Sequence, residues 1–215
     1  MLSVRRARGR LDLGRILMVP LAAIVAMLDA DSLIAAKTTA PAAGIISTAL
    51  ACAFYLIVIW YYLRRHPASA TSRSVPALVI AVIATALPFA IPLVSGVAPE
   101  PWRGGLADML LIGGIVWSIW ALRSLGRNLS VLAQARAMAE SGPYRLVRHP
   151  LYAGEIISAL GLTLIANSVA ALALWLGLCG AQIYRARAEE RLLLATVPDY
   201  RGYQARTAAL IPGIL

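Results

Sequence analysis

Six apolar blocks, separated by short polar or arginine-rich connections, constrain this chain more than any other feature. They run Leu13–Ser32, Ala42–Leu63, Val75–Val97, Leu106–Leu122, Leu151–Ile165 and Val169–Tyr184. A helix needs about 17–25 apolar residues to cross the hydrocarbon core of a bilayer, and the first four blocks meet or approach that length. Inside hydrocarbon each backbone N–H and C=O must be satisfied within its own segment, so blocks of this kind are expected to be helices. The last two blocks are shorter, and only Ala166, Asn167 and Ser168 separate them. They read as a tight helical hairpin, either tilted or not crossing fully. Pro88 and Pro92 should kink the third span, because each removes a backbone donor. The expected fold is all-α: a polytopic transmembrane helical bundle with a C-terminal helical hairpin.

Composition agrees. Of 215 residues, 60% are hydrophobic and 14% charged, whereas a soluble domain is nearer half apolar and a quarter charged. The net charge of +10 does not point to nucleic acid. That partner needs a basic face on a folded soluble domain, and here the arginines lie in short clusters between apolar blocks. Topology explains them better, since cytoplasmic loops collect Lys and Arg. The rich stretches are the N-terminus, Arg64–Arg73, Arg123–Arg148 and Arg185–Arg206, while Lys37 and Glu100/Arg103 occupy the alternate connections. Both termini and the 123–150 loop are therefore expected in the cytoplasm, with the loop and the charged tail side by side. Arg5, Arg6, Arg8 and Arg10 could open a cleaved signal peptide, but the apolar run continues past Asp29 and Asp31 toward Ala36 and more spans follow. An uncleaved first span is expected. Cys52 and Cys179 sit inside apolar blocks and read as small buried hydrophobes. With two cysteines and two histidines far apart, no metal-ligand spacing is recognisable. One integrated domain is expected, with residues 1–125 as anchor and substrate access and 126–215 as the region of chemistry.

That region holds the unusual stretch E-S-G-P-Y-R-L-V-R-H-P-L-Y, residues 140–152. Gly142-Pro143 is a turn signal, and Pro150 suits the first turn of a following helix. His149 then stands beside a helix N-terminus, whose free N–H groups and dipole favour an anion. The plainer alternative is a loop-to-helix junction whose His and Arg side chains meet lipid headgroups. Further on, Y-R-A-R-A-E-E-R (184–191) puts Arg185 and Glu189 four apart on one helix face. They form either a weak surface pair or a device holding a cationic and an anionic group of a ligand. Glu155 lies one turn into an apolar helix. It is either a carboxylate favoured by the helix N-terminus or a wall of a substrate entrance.

These pieces together resemble the isoprenylcysteine carboxyl methyltransferase family of integral membrane enzymes. The matching residues are Leu125-Gly126, G-P-Y-R-L-V-R-H-P-L-Y-A-G (142–154), Arg185, Glu189-Glu190, Tyr200 and Tyr203, within roughly the C-terminal 90 residues. The resemblance implies S-adenosylmethionine as cofactor, a cytoplasmic cofactor-binding loop and tail, and methyl transfer to a lipophilic acceptor arriving from the bilayer. The leading acceptor is the carboxylate of a prenylcysteine or similar lipid-linked acid. Residue by residue, it implies that Arg136, Ala137, Met138, Ala139, Tyr144, His149, Pro150, Leu151, Tyr152 and Glu189 line the cofactor pocket. It also implies that Arg185 faces the acceptor carboxylate as the catalytic residue, with Glu155 kept as an entrance wall. Two positions depart from the family pattern. Arg136 stands where members often have histidine, and V-P-D-Y (197–200) is one residue shorter than the usual tail. The R-H-P-x-Y motif alone also occurs in phospholipid N-methyltransferases and in NADPH-dependent sterol-type reductases, so both remain alternatives, as does a non-enzymatic membrane scaffold. A carboxylate is ionised at neutral pH and needs no base. An amine acceptor needs one, and Glu155 is the residue available.

Overall fold

The structure is a computed structural model, and it describes residues 5–6, 13–35, 42–64, 70–71, 75–97, 100–126, 134–135 and 140–211. The helices are α1 (Leu13–Ala35), α2 (Ala42–Arg64), α3 (Val75–Ala90), α4 (Pro101–Leu125), α5 (Pro150–Ala166), α6 (Val169–Thr196) and α7 (Tyr200–Arg206). A 3₁₀ turn, Ile91–Val94, extends α3, and another, Gly142–Arg145, precedes α5. Among the described residues, five helical segments are long and apolar enough to cross a membrane: α1, α2, α3 with its 3₁₀ extension, α4 and α6. The chain is an all-α polytopic helical protein.

Burial is arranged the opposite way from a water-soluble bundle. Ala84, Ala107, Ala121, Ala159 and Ala171 are fully buried, whereas Leu28, Met109, Leu176 and Leu93 are exposed, Leu93 by 84%. Small residues inside let helices approach closely where lipid provides no hydrophobic drive. The tightest such contact joins α4 to α5. A Cβ added to Gly114 would meet the Ser158 backbone nitrogen at 2.5 Å, and one added to Gly161 would meet the Ala107 carbonyl oxygen at 2.6 Å. Only glycine permits that approach.

Both ends of the bundle are recognisable. At one, three two-residue strands pair antiparallel: β1 (Arg5–Arg6) with β2 (Ala70–Thr71), and β2 with β3 (Gln134–Ala135). They tie together the arginine-rich segment before α1, the α2–α3 connection and the α4–α5 connection. At the other end, Asn167 adopts a left-handed φ of 45° and closes the α5–α6 hairpin. There Gly96 N–H donates to the Ala166 carbonyl (2.6 Å), the Asn167 amide donates to the Val97 carbonyl (3.0 Å), and Arg103 donates to Asn167 Oδ1 (2.6 Å). The hairpin tip thus meets the α3–α4 connection. At 1.5 Å per residue the 17-residue α5 covers about 25 Å, so the hairpin traverses the bundle from end to end.

Several boundaries differ from the sequence reading. The third span leaves α-helix at Ala90, because Pro92 stands in the first turn of the 3₁₀ segment; Pro88 lies within α3. Helix α4 begins at Pro101 instead of Leu106, with proline opening the helix. Helix α6 does not stop at Tyr184 but runs 28 residues to Thr196. The polar stretch R-A-R-A-E-E-R-L-L-L-A is made of strong helix formers and gives it no reason to end.

Candidate functional site

The site forms where the start of α5, the polar end of α6 and the C-terminal tail converge. His149 is the N-cap of α5 and its side chain makes no capping bond, with Pro150 in the first turn. The segment is held from behind. Val147 bridges to Ala208, and the Arg148 and His149 N–H groups donate to the Ala208 (2.8 Å) and Ala209 (3.0 Å) carbonyls. The tail therefore lies against the loop, as the charge pattern suggested.

Two neighbouring carboxylates of α6 organise the cluster. Glu189 accepts from the Tyr152 hydroxyl at 2.6 Å, and its other oxygen is 3.7 Å from His149 Nδ1. Glu190 Oε1 accepts from Arg148 Nε at 2.6 Å and lies 3.1 Å from His149 Nε2, while Oε2 accepts from Gln204 at 3.2 Å. The His149 ring stacks on Tyr152, with centroids 5.5 Å apart and planes 3° from parallel. Arg148 also donates to the Gln204 carbonyl at 3.1 Å and to the Thr207 carbonyl. Buried charged groups of this kind persist when each finds hydrogen-bonding partners.

Below this cluster, Arg185 is buried, its guanidinium 4.5 Å from the Tyr152 ring centroid, and it donates to Gln182 Oε1 at 3.1 Å. Gln182 in turn donates to Glu155. Arg185, Tyr152 and Glu155 then line a cavity of about 410 Å³ that runs down among α1–α6. The rest of its wall is mostly apolar and includes Met18, Phe54, Val58, Phe89 and Leu162. This size lies in the range of roughly 300–1,000 Å³ usual for small-molecule pockets.

Three further tyrosines, Tyr144, Tyr200 and Tyr203, are buried. The Tyr203 hydroxyl donates to the Tyr144 carbonyl at 2.7 Å. Burial pushes the Tyr203 hydroxyl up to about 12, with the Glu140 charge adding to it. Burial first, and then the Glu189 charge, raises Tyr144 well above its ordinary value; burial and then Glu190 do the same to Tyr200.

The structure brings together Tyr152, His149, Glu189 and Arg185 of the residues singled out from sequence, with Tyr144 buried nearby. Pro150 is wholly buried, and its carbonyl accepts from Trp117 Nε1 at 2.8 Å; Leu151 turns into the cavity. Neither side chain belongs to the polar cluster. Arg136, Ala137, Met138 and Ala139 lie outside the described residues. Sequence reasoning missed Arg148, Glu190, Gln182 and Gln204. The available signal was the adjacent Glu189-Glu190 pair in a chain with ten acidic residues, yet only one of the two was given a role.

Residues 102–196 match the family model of the phospholipid methyltransferases. The chain is 40% identical over 111 residues to the cobalt-zinc-cadmium resistance protein CzcN of Cupriavidus metallidurans, covering 51% of this chain and 47% of that protein. It is 36% identical over 77 residues to the nickel-cobalt-cadmium resistance protein NccN of Alcaligenes xylosoxydans xylosoxydans, covering 35% and 36%. These matches thus span less than half the length of either relative. Among the described residues, no group of three or more His, Cys, Asp or Glu side chains is placed to hold a metal ion. The matched segment runs from α4 through α6, the part of the chain that carries His149, Tyr152, Arg185 and Glu189, and over that segment the chain is similar to the phospholipid methyltransferases.

Proposed function

We propose that the chain transfers a methyl group from S-adenosylmethionine to the carboxylate of a lipophilic acceptor, a prenylcysteine or similar lipid-linked acid. The observation that supports this most is the double membership of Arg185 and Tyr152. Both line the apolar cavity and both adjoin the buried polar cluster. An apolar tail and an acidic head can thus be held in one continuous space.

The residues present suit the cofactor. The α5 N-terminus, left uncapped by any side chain, is a ready place for an amino-acid carboxylate, and Glu189 offers an acceptor to an ammonium group. S-adenosylmethionine supplies, when bound, an electrophilic methyl group. The protein's own residues do the rest. Arg185 holds the acceptor oxygens with its planar fork, Tyr152 fixes Glu189 through its hydroxyl, and the apolar wall keeps water out. No general base is needed, because the acceptor arrives ionised. Orientation in a dry site then supplies most of the rate. The end of the bundle that carries the strands and the cluster faces the cytoplasm in this reading, in keeping with the arginine distribution.

A second reading, N-methylation of a phospholipid amine, draws on the family description and on Glu155, which lines the cavity and could take the proton. Purified protein with methyl-labelled cofactor separates the two. Transfer to prenylcysteine analogues gives an alkali-labile ester, whereas transfer to phosphatidylethanolamine gives an alkali-stable amine. Alkali-stable label confined to the phospholipid would overturn the carboxylate reading. In the Arg185→Lys variant turnover on the acid should fall about 10- to 150-fold, the equivalent of a charge-assisted pair of about 1.5–3 kcal/mol. Cofactor affinity in a calorimetric titration should stay near wild type; unchanged turnover would refute the clamp.

A further inference from the structure

The cavity has a second polar end. Met18 and Asp29 of α1 both line it, as do Leu151 and Leu162 of α5, and in each helix these residues are 11 apart. Eleven residues of helix rise about 17 Å. Helix α1 runs away from the polar cluster, so Asp29 sits far along the cavity from Arg185 and Tyr152. There it is joined by Ser47, Thr48 and Tyr55 of α2. The Asp29 Oδ2 atom is enclosed by protein and has no hydrogen-bond partner among the described residues. The neighbouring hydroxyls do not serve it: Ser47 and Thr48 both donate to the Gly44 carbonyl, at 3.0 and 2.9 Å. An unsatisfied carboxylate oxygen in an apolar surrounding is costly, and ionisable residues within a membrane span are commonly functional.

We propose that Asp29 is a specificity residue that accepts a hydrogen bond from a donor group at the far end of the acceptor's hydrophobic chain. The acceptor is then a two-headed lipid: an acid at the Arg185 end, and a hydroxyl or amine about 17 Å away. At about 1.2 Å per bond for an extended chain, that separation is roughly 14 bonds. This inference rests on the cavity being the acceptor site, as proposed above.

The test is equilibrium binding, read independently of methyl transfer. Purified protein in nanodiscs is titrated with radiolabelled hexadecanoic acid, its ω-hydroxy derivative and its ω-amino derivative. Wild type should bind at least one ω-substituted acid about ten-fold more tightly than the plain acid, a preference of about 1.4 kcal/mol. Asp29→Ala should abolish that preference. The hydroxy and amino arms identify which donor the site takes. Equal binding of all three acids by wild type overturns the proposal, as does a preference that survives in Asp29→Ala. Labelled cofactor added to the same samples keeps the two readings apart. Methyl esters formed without ω-preference sink the Asp29 role alone, and ω-preference without methyl transfer sinks the enzymatic reading alone. Should Asp29→Ala fail to fold, Asp29→Leu serves, since it removes the acceptor at similar side-chain size; an unchanged preference there overturns the proposal equally.

Discussion

Replacing Glu190 with alanine should destabilise the end of the bundle that carries the polar cluster far more than its membership of a surface-facing helix turn suggests. Glu190 accepts from Arg148 at 2.6 Å and Gln204 at 3.2 Å, and lies 3.1 Å from His149 Nε2. It thereby joins the start of α5 and the tail to α6. The Arg148 and Glu190 side chains retain only 10% and 13% exposure, so water cannot replace what is lost. Removing one partner of an enclosed ion pair typically costs about 3–5 kcal/mol. The carbonyls of Gln204 and Thr207 still receive Arg148, which argues for the lower end, about 3 kcal/mol. For a chain of this length each kcal/mol shifts Tm by about 2–4 °C, giving a drop of roughly 6–12 °C. Thermal melts of purified protein in one detergent would measure it. Glu140→Ala is the control: its pair with Arg206 is 2.7 Å long but exposed, at 63% and 44%, and is worth about 0–1 kcal/mol. A Glu190→Ala melt indistinguishable from that control refutes the reasoning.

Three further outcomes are expected. Gly114→Ala should destabilise by about 1–3 kcal/mol, since its Cβ would strike the α5 backbone, whereas Gly113→Ala, with nothing within 4 Å, should be neutral or stabilising by up to about 1 kcal/mol; equal melts would contradict the packing. Because the Tyr203 hydroxyl is pushed up to about 12 in the fold while an unfolded tyrosine titrates near about 10, its stabilisation is complete below about pH 10 and fades between about pH 10 and pH 12. Melts from about pH 9 to about pH 11 should fall more steeply for wild type than for Tyr203→Phe, and parallel slopes count against that. In inside-out and right-side-out vesicles, cysteines placed at Ser141 and Asn167 should label from opposite sides, Ser141 from the cytoplasm; labelling of Ser141 from outside would reverse the orientation.

The helices were legible because apolar runs of this length have no other way to satisfy their backbone in lipid. Their ends were less so. Nothing local distinguishes the last apolar turn of α6 from the charged turns that continue it to Thr196. At the site, His149, Tyr152, Arg185 and Glu189 could be named through the family resemblance, and the hairpin brings them together by returning α6 to the start of α5. The roles of Arg148, Glu190 and Gln204 depend on contacts 14 to 59 residues apart in the chain, which no pattern reveals. Asp29 was weighed only as evidence against a cleaved leader. Its place on a cavity wall is a property of the assembled helices.

Helix α6 acts as a ruler between Arg185 and Glu189, the residues proposed to hold the acceptor and the cofactor. Arg185 at the cavity and Glu189 in the polar cluster lie on one uninterrupted helix, so about 6 Å of helix rise separates them. Packing changes elsewhere cannot alter that interval. A single residue inserted between them would turn Glu189 about 100° around the axis and carry it away from Tyr152. Divergence among related chains should therefore leave the four-residue interval between Arg185 and Glu189 along α6 unchanged.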